Sequence, residues 1–259
     1  MVAILSNQRD VILHAVRGMY TDVATNPGKA FHFPTGRPAC EFVGYPASVL
    51  ASIPEAAVES FAGVGYPFAA DVIRAGDTVL DVGSGSGTDV LIASQLVGAR
   101  GKVFALDMTE AMRAKLRSNV SAAGAANVEV LDGNAEELPL PDASVDVVTS
   151  NGVLNLVPDK AAAIREIARV LKPDGRVQLA DIVVGTLPSD SCRAQPDLWA
   201  ECIVGATREE DYISMLRDAG FRMVDVLQRL DYFAGSGSAE TRKVAASFGA
   251  HTIVLRASK

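Results

Sequence analysis

Val79-Leu80-Asp81-Val82-Gly83-Ser84-Gly85-Ser86-Gly87 is an apolar run that ends in alternating glycines, and a helical stretch from Asp89 to Val97 follows it. Glycines at 83, 85 and 87 let the backbone turn sharply and approach a ligand that a Cβ would exclude. The helix behind the turn presents free N–H groups to the same spot. Asp107 ends the next apolar run, Lys102 to Leu106, twenty residues past Gly87. An acid there accepts bonds from both hydroxyls of a ribose. Strand, glycine loop, helix and spaced acid together predict a nucleoside-binding edge.

The rhythm continues as parallel βαβ units should. A helix is expected over Glu110 to Ala122, then strands at Val128 to Leu131 and Val145 to Ser150. Lys160 to Leu171 reads as a helix stopped by Lys172-Pro173-Asp174-Gly175, with a fifth strand at Arg176 to Asp181. After a helix at Glu209 to Ala219, two β-rich segments, Arg222 to Leu230 and His251 to Arg256, suit an antiparallel pair at the sheet edge. Residues 1–70 differ: a helical pattern, then Gly/Pro turns such as Asn26-Pro27-Gly28 and Gly63-Val64-Gly65-Tyr66-Pro67. We therefore expect a helical and loop cap over 1–70 and a ligand-binding α/β domain over 71–259, doubly wound and Rossmann-like.

Composition narrows the function. The 259 residues carry a formal charge of -7 without a Lys/Arg cluster, which argues against nucleic-acid binding. No run of about 20 apolar residues is present to span a bilayer. Three cysteines, Cys40, Cys192 and Cys202, are too few and too scattered for a disulfide framework or a zinc pattern. A cytoplasmic protein acting on a small molecule, with no resident metal, is the expectation; oligomeric state is open.

A dinucleotide site prefers a sixth-position glycine, and Thr88 stands there. That disfavours a nicotinamide oxidoreductase. The Asp-x-Gly-x-Gly-x-Gly form instead resembles class I methyltransferases that use S-adenosylmethionine. Asp107-Met108, Asp132-Gly133-Asn134-Ala135-Glu136-Glu137 and Asp142-x-Ser144-x-Asp146 are similar to the same family. The resemblance implies a seven-stranded, mostly parallel sheet with an antiparallel last strand. It also implies a cofactor set of Asp81, Gly83, Ser84, Gly85, Gly87, Asp107, Met108, Asn134, Ala135, Glu136 and Asn151.

One branch is closer still. Leu96-Val97-Gly98, Ser150-Asn151-x-Val153-x-Asn155-Leu156 and Leu198-Trp199-x-Glu201-Cys202-x-x-Gly205-Ala206 resemble arsenite S-adenosylmethyltransferases. That branch holds trivalent arsenic through converging cysteine thiolates. Cys202 matches one such position and Cys40 an N-terminal one, but Val90 and Gly152 occupy two others, and neither supplies a ligand. Two readings stay open: a metalloid held by the remaining thiols, or another small O-, C- or S-nucleophile on a reused framework. A protein that binds the cofactor without turnover is the alternative class. Methyl transfer to oxygen or carbon usually needs a base, and His32 is the candidate, with Cys202 and Cys40 as the candidate reactive thiols.

Overall fold

The central strands of the sheet owe their place to apolar runs with β-branched residues, and in the computed structural model these runs stack side by side. The structure describes residues 6–189, 192, 195, 199 and 202–259. The strands are β1 (Thr78–Val82), β2 (Lys102–Asp107), β3 (Val128–Asp132), β4 (Val145–Asn151), β5 (Leu171–Val184), β6 (Thr207–Arg208), β7 (Met223–Leu230) and β8 (His251–Ser258). Their order is β3-β2-β1-β4-β5-β8-β7, with β6 pairing on β5. The pairs β1–β2, β1–β4, β2–β3 and β4–β5 are parallel, whereas β8 runs antiparallel to both β5 and β7.

The architecture agrees with the expected doubly wound sheet, with two corrections. The sheet has eight strands rather than seven, because Thr207 and Arg208 form a two-residue parallel pair with Val183 and Val184. The fifth strand starts at Leu171, not Arg176. Lys172 to Gly175 makes a bulge, in which Leu171 pairs Val145 and Arg176 pairs Val147. Asp174 takes the left-handed conformation that such an extra turn demands, at φ 63°.

Neighbouring residues of one strand face opposite sides, so each buried strand feeds two cores. Val79, Val103 and Val147 join an apolar cluster with Val90 to Ala93, Met112 and Leu116; Leu80, Leu106 and Val148 join the other, with Ile164, Ile167 and Tyr212. The helices on the first side are α5 (Thr88–Val97) and α6 (Glu110–Ala122). Those on the second are α7 (Lys160–Val170) and α8 (Glu209–Asp218). Asp159 caps α7 by accepting from the Ala162 N–H at 2.9 Å. A last helix, α9 (Ala239–Phe248), precedes β8.

Residues 6–70 hold α1 (Ser6–Thr25) and three short helices, α2 (Gly36–Phe42), α3 (Ala47–Leu50) and α4 (Glu55–Val58). Ile12 and Val16 of α1 share the first apolar cluster with Met112 and Leu116 of α6. The carbonyl of Ala57 at the end of α4 accepts from Ser86 Oγ at 2.7 Å and Thr88 Oγ1 at 2.8 Å. This segment is thereby stitched to the glycine loop. Among the described residues, no helix is long and apolar enough to cross a membrane.

Candidate active site

The order β3-β2-β1-β4 reverses direction at β1, and ligands of such sheets bind beyond the carboxyl ends of the strands at that switch. The glycine loop lies there. Gly83 has φ 75°, and a Cβ on it would lie 2.2 Å from Val153 Cγ2. The N–H groups of Gly83 and Ser84 both reach the Leu106 carbonyl, at 2.8 and 2.9 Å, which ties the loop to β2. Gly87, at φ 102°, turns the chain into α5 and packs so closely on Leu116 that a Cβ would lie 2.5 Å from Cδ1.

Asp107 completes this corner. Its Oδ2 accepts from the Gly85 N–H at 2.8 Å and its Oδ1 from the Thr109 N–H at 2.8 Å. Arg113 braces the same turn by donating to the Asp107 carbonyl at 2.9 Å. A carboxylate offers about four lone-pair positions, so each oxygen keeps capacity for a ligand hydroxyl. Burial pushes the Asp107 carboxyl above its usual value, while the two backbone donors oppose that rise.

These elements surround a cavity of ≈ 940 Å³, counted with the open solvent at its mouth. Asp81, Gly83, Ser84, Gly85, Asp107, Met108, Asn134, Ala135 and Asn151 all line it. Two sequence candidates do not. Gly87 acts through the turn just described. Glu136 faces away, ion-paired to Arg9 of α1 and accepting from the Asp159 N–H at 2.8 Å. Asn134 partly spends its amide on its own turn, since Oδ1 accepts from the Glu136 N–H at 3.1 Å.

Asn151 is a hub. Its Oδ1 accepts from the Val64 and Gly65 N–H groups at 2.8 and 3.2 Å. Its Nδ2 contacts Tyr45 Oη at 3.0 Å, the Gly65 carbonyl at 2.9 Å and Asp89 Oδ2 at 3.1 Å. The Tyr45 hydroxyl in turn donates to Asp89 Oδ1. Asp89 lines the cavity beside Asp81. Burial raises the Asp89 carboxyl to about 6, against the pull of Tyr45 and Asn151. Burial, and then the charge of Asp89, hold Asp81 well above the ordinary carboxylate range. Sequence reading missed Asp89, because an acid in the first turn of a helix is an ordinary dipole partner. It also missed Leu13 and Val16 of α1, which line the cavity with Tyr20.

The candidate reactive residues fall elsewhere. Cys202, Cys40 and His32 do not line the cavity. Cys202 is buried one layer back, where the Tyr20 hydroxyl bonds its thiol; burial and then Cys202 raise the Tyr20 phenol well above its usual value. The Cys202 backbone is left-handed at φ 69°, and its carbonyl accepts from Asn155 Nδ2 at 3.0 Å. Cys40 is fully buried in α2, and burial followed by the charge of Asp89 pushes its thiol up. His32 packs edge-on against Phe33 with a buried, unpartnered Nε2, and burial drops its imidazole to about 4. The ring stays neutral and does not reach the cavity. Cys192 is half-buried, 3.3 Å from Ser189 Oγ. Val90 belongs to the core, whereas Gly152 lines the cavity. Leu198 and Glu201 lie outside the described residues. Among the described residues, no group of three or more His, Cys, Asp or Glu side chains is placed to hold a metal ion.

The cavity thus presents three carboxylates, Asp81, Asp89 and Asp107, and no Lys, Arg or His among its described lining residues. The set fits an elongated ligand with a hydroxyl-bearing sugar at β2 and positive charge over β1. Comparison with known proteins gives the family. A family model described as a methyltransferase domain matches residues 73–220. The arsenite methyltransferase of Halobacterium salinarum is 41% identical over 186 residues, covering 72% of this chain and 47% of that protein. The chain therefore spans about half the length of that relative. The ubiquinone/menaquinone biosynthesis C-methyltransferase of Escherichia coli is 35% identical over 59% of this chain and 69% of its own. Among solved structures, an arsenic(III) S-adenosylmethionine methyltransferase from Chlamydomonas reinhardtii superposes with a TM-score of 0.61 at 30% identity, covering 87% of this chain and 73% of that one.

Proposed function

Because the chain belongs to the class I S-adenosylmethionine-dependent methyltransferases, we propose that it moves the cofactor's methyl group to a small-molecule nucleophile in an arsenite-methyltransferase-like framework. The observation that carries this reading is the cavity at the switch point, lined in part by α1 and walled by carboxylates, with no cation among its described lining residues. The bound cofactor supplies a methyl group on a positively charged sulfur. Asp107 receives the ribose hydroxyls, and Asn134, Ala135 and Met108 flank the base. Gly83, Ser84 and Gly85 let the backbone lie against the ligand, while Asp81 faces its charge.

Residues 1–70 act as a cap. Leu13, Val16 and Tyr20 present one face of α1 to the cavity, and the Arg9–Glu136 pair clamps the helix to the sheet end. Closing that face excludes water and holds nucleophile and methyl carbon in line, which supplies much of the rate in such a displacement.

The sequence relatives favour arsenite as the first acceptor to test, with Cys202 behind Tyr20 as the retained thiol. A second reading is an organic acceptor. It is favoured by the cavity wall, where Gly152 stands and no described cysteine is among the lining residues. The acidic composition and the family's chemistry support a cytoplasmic enzyme of small molecules, with no nucleic-acid or membrane partner. Calorimetry with S-adenosylmethionine should show micromolar binding, and silence would remove the proposal. Mass spectrometry of methylated products from arsenite, methylarsenite, thiols and phenols then separates the acceptors. Arsenite turnover that survives Cys202→Ser undiminished would exclude the thiol reading.

A further inference from the structure

Resting on the cofactor reading above, we propose that Asp89, paired with Asp81, receives the cofactor's α-ammonium group, and that Tyr45 and Asn151 are positioning residues for that carboxylate. The first ground is charge. Two buried carboxylates side by side repel each other in a dry site, and either a shared proton or a cation between them relieves that repulsion. The described lining of the cavity supplies no cation. Arg113 is answered by Glu110 and Asp132, Lys115 by Glu59 and Ser60, Arg9 by Glu136 and Arg37 by Glu55. A cationic group on the ligand supplies the charge that the described lining lacks and replaces the proton that the pair otherwise keeps.

The second ground is position. Neighbouring strands lie about 4.8 Å apart, so the sheet is a ruler across the cavity. Asn134 and Ala135 follow β3, Asp107 ends β2, Asp81 and Gly83 belong to the end of β1, and Asn151 ends β4. A ligand with its base at β3 and its ribose at β2 puts its amino-acid tail over β1, toward β4. Asp89 waits there, in the first turn of α5.

The third ground is preorganisation. Each Asp89 oxygen already accepts one bond, from Tyr45 or from Asn151, so its remaining lone pairs have fixed directions. Asn151 cannot flip to release Asp89, because two backbone N–H groups of the 64–65 turn hold its Oδ1. A carboxylate held in this way on the cavity wall fits a binding contact.

The test uses three probes on the whole protein near neutral pH: S-adenosylmethionine, S-adenosylhomocysteine and 5′-methylthioadenosine, which lacks the amino-acid tail. Asp89→Asn keeps the side chain's size. It should weaken the first two by at least about tenfold, the scale of a charge-assisted contact, and change 5′-methylthioadenosine by less than about twofold. Equal loss on all three probes, or no loss on any, overturns the assignment. Tyr45→Phe leaves the carboxylate intact and should show the same selectivity at about threefold or more, which guards against a variant that fails to fold. Magnesium titrated into the unliganded protein should give no heat, and magnesium binding abolished by Asp89→Asn would make this a metal site instead. If the wild-type protein binds none of the three nucleosides, the cofactor reading fails rather than this one.

Discussion

Asp107 shows how one side chain serves both fold and site. It spends one lone pair per oxygen on backbone N–H groups and turns the rest to the cavity. Asp107→Ala should weaken S-adenosylmethionine by about 1.5–3 kcal/mol, the usual scale for hydrogen bonds to a charged group; unchanged calorimetric affinity would mean the ribose lies elsewhere. Asp89 carries a different signature. Its carboxyl sits at about 6, with Tyr45, Cys40, Tyr66 and Asp81 as the titratable groups around it. A cation binds the ionised form, so binding expels a proton when Asp89 starts protonated. Affinity should be level above pH about 6.5 and fall by up to about tenfold per pH unit below about 6. A flat calorimetric profile from pH 5 to 8 contradicts this.

At the level of elements, the glycine loop and α1 do opposite jobs. The loop is tied down by hydrogen bonds from Gly83, Ser84 and Gly85 to Leu106 and Asp107 at the end of β2. Gly83→Ala forces a β-carbon into Val153 and a left-handed residue into strain, so denaturant unfolding should show a loss of about 1–3 kcal/mol from the backbone alone. Wild-type stability in that variant would mean the loop re-forms without the positive φ. Helix α1 instead holds the cavity shut through a few side chains. Leu13 is buried on the cavity wall. Leu13→Ala should speed S-adenosylmethionine release severalfold in stopped-flow experiments, and an unchanged off-rate would mean that α1 does not control the entrance. The periodicity of 1–70 announced a helix and turns, but not which sheet end they cover, since that depends on contacts such as Ala57 with Ser86 and Thr88.

For the whole molecule, the raised carboxyls set the stability profile. Burial lifts Asp89 to about 6 and Asp181 to about 7, the latter despite Lys160 and Tyr212. The folded state then binds more protons than the unfolded state between the ordinary Asp value and these values, so stability falls as pH rises through that window. Thermal unfolding of the unliganded protein should show Tm declining from pH 5 to 8, with saturating S-adenosylmethionine flattening the part due to Asp89. A Tm that rises across this range would refute the assignment. The parallel core, the glycine loop and the Asp107 corner were legible in the chain because each is local: apolar runs, left-handed turns and one spaced acid dictate their own geometry. The bulge at Lys172 to Gly175 and the two-residue β6 were not, because they arise from register between distant strands. The site divided along the same line. Sequence spacing named the residues at the strand ends, whereas the withdrawal of Cys40, Cys202 and His32 from the cavity and the arrival of Asp89 came from packing. Burial and charge pairing belong to neighbours in space, and the neighbours of Asp89, at Tyr45 and Asn151, lie far from it along the chain.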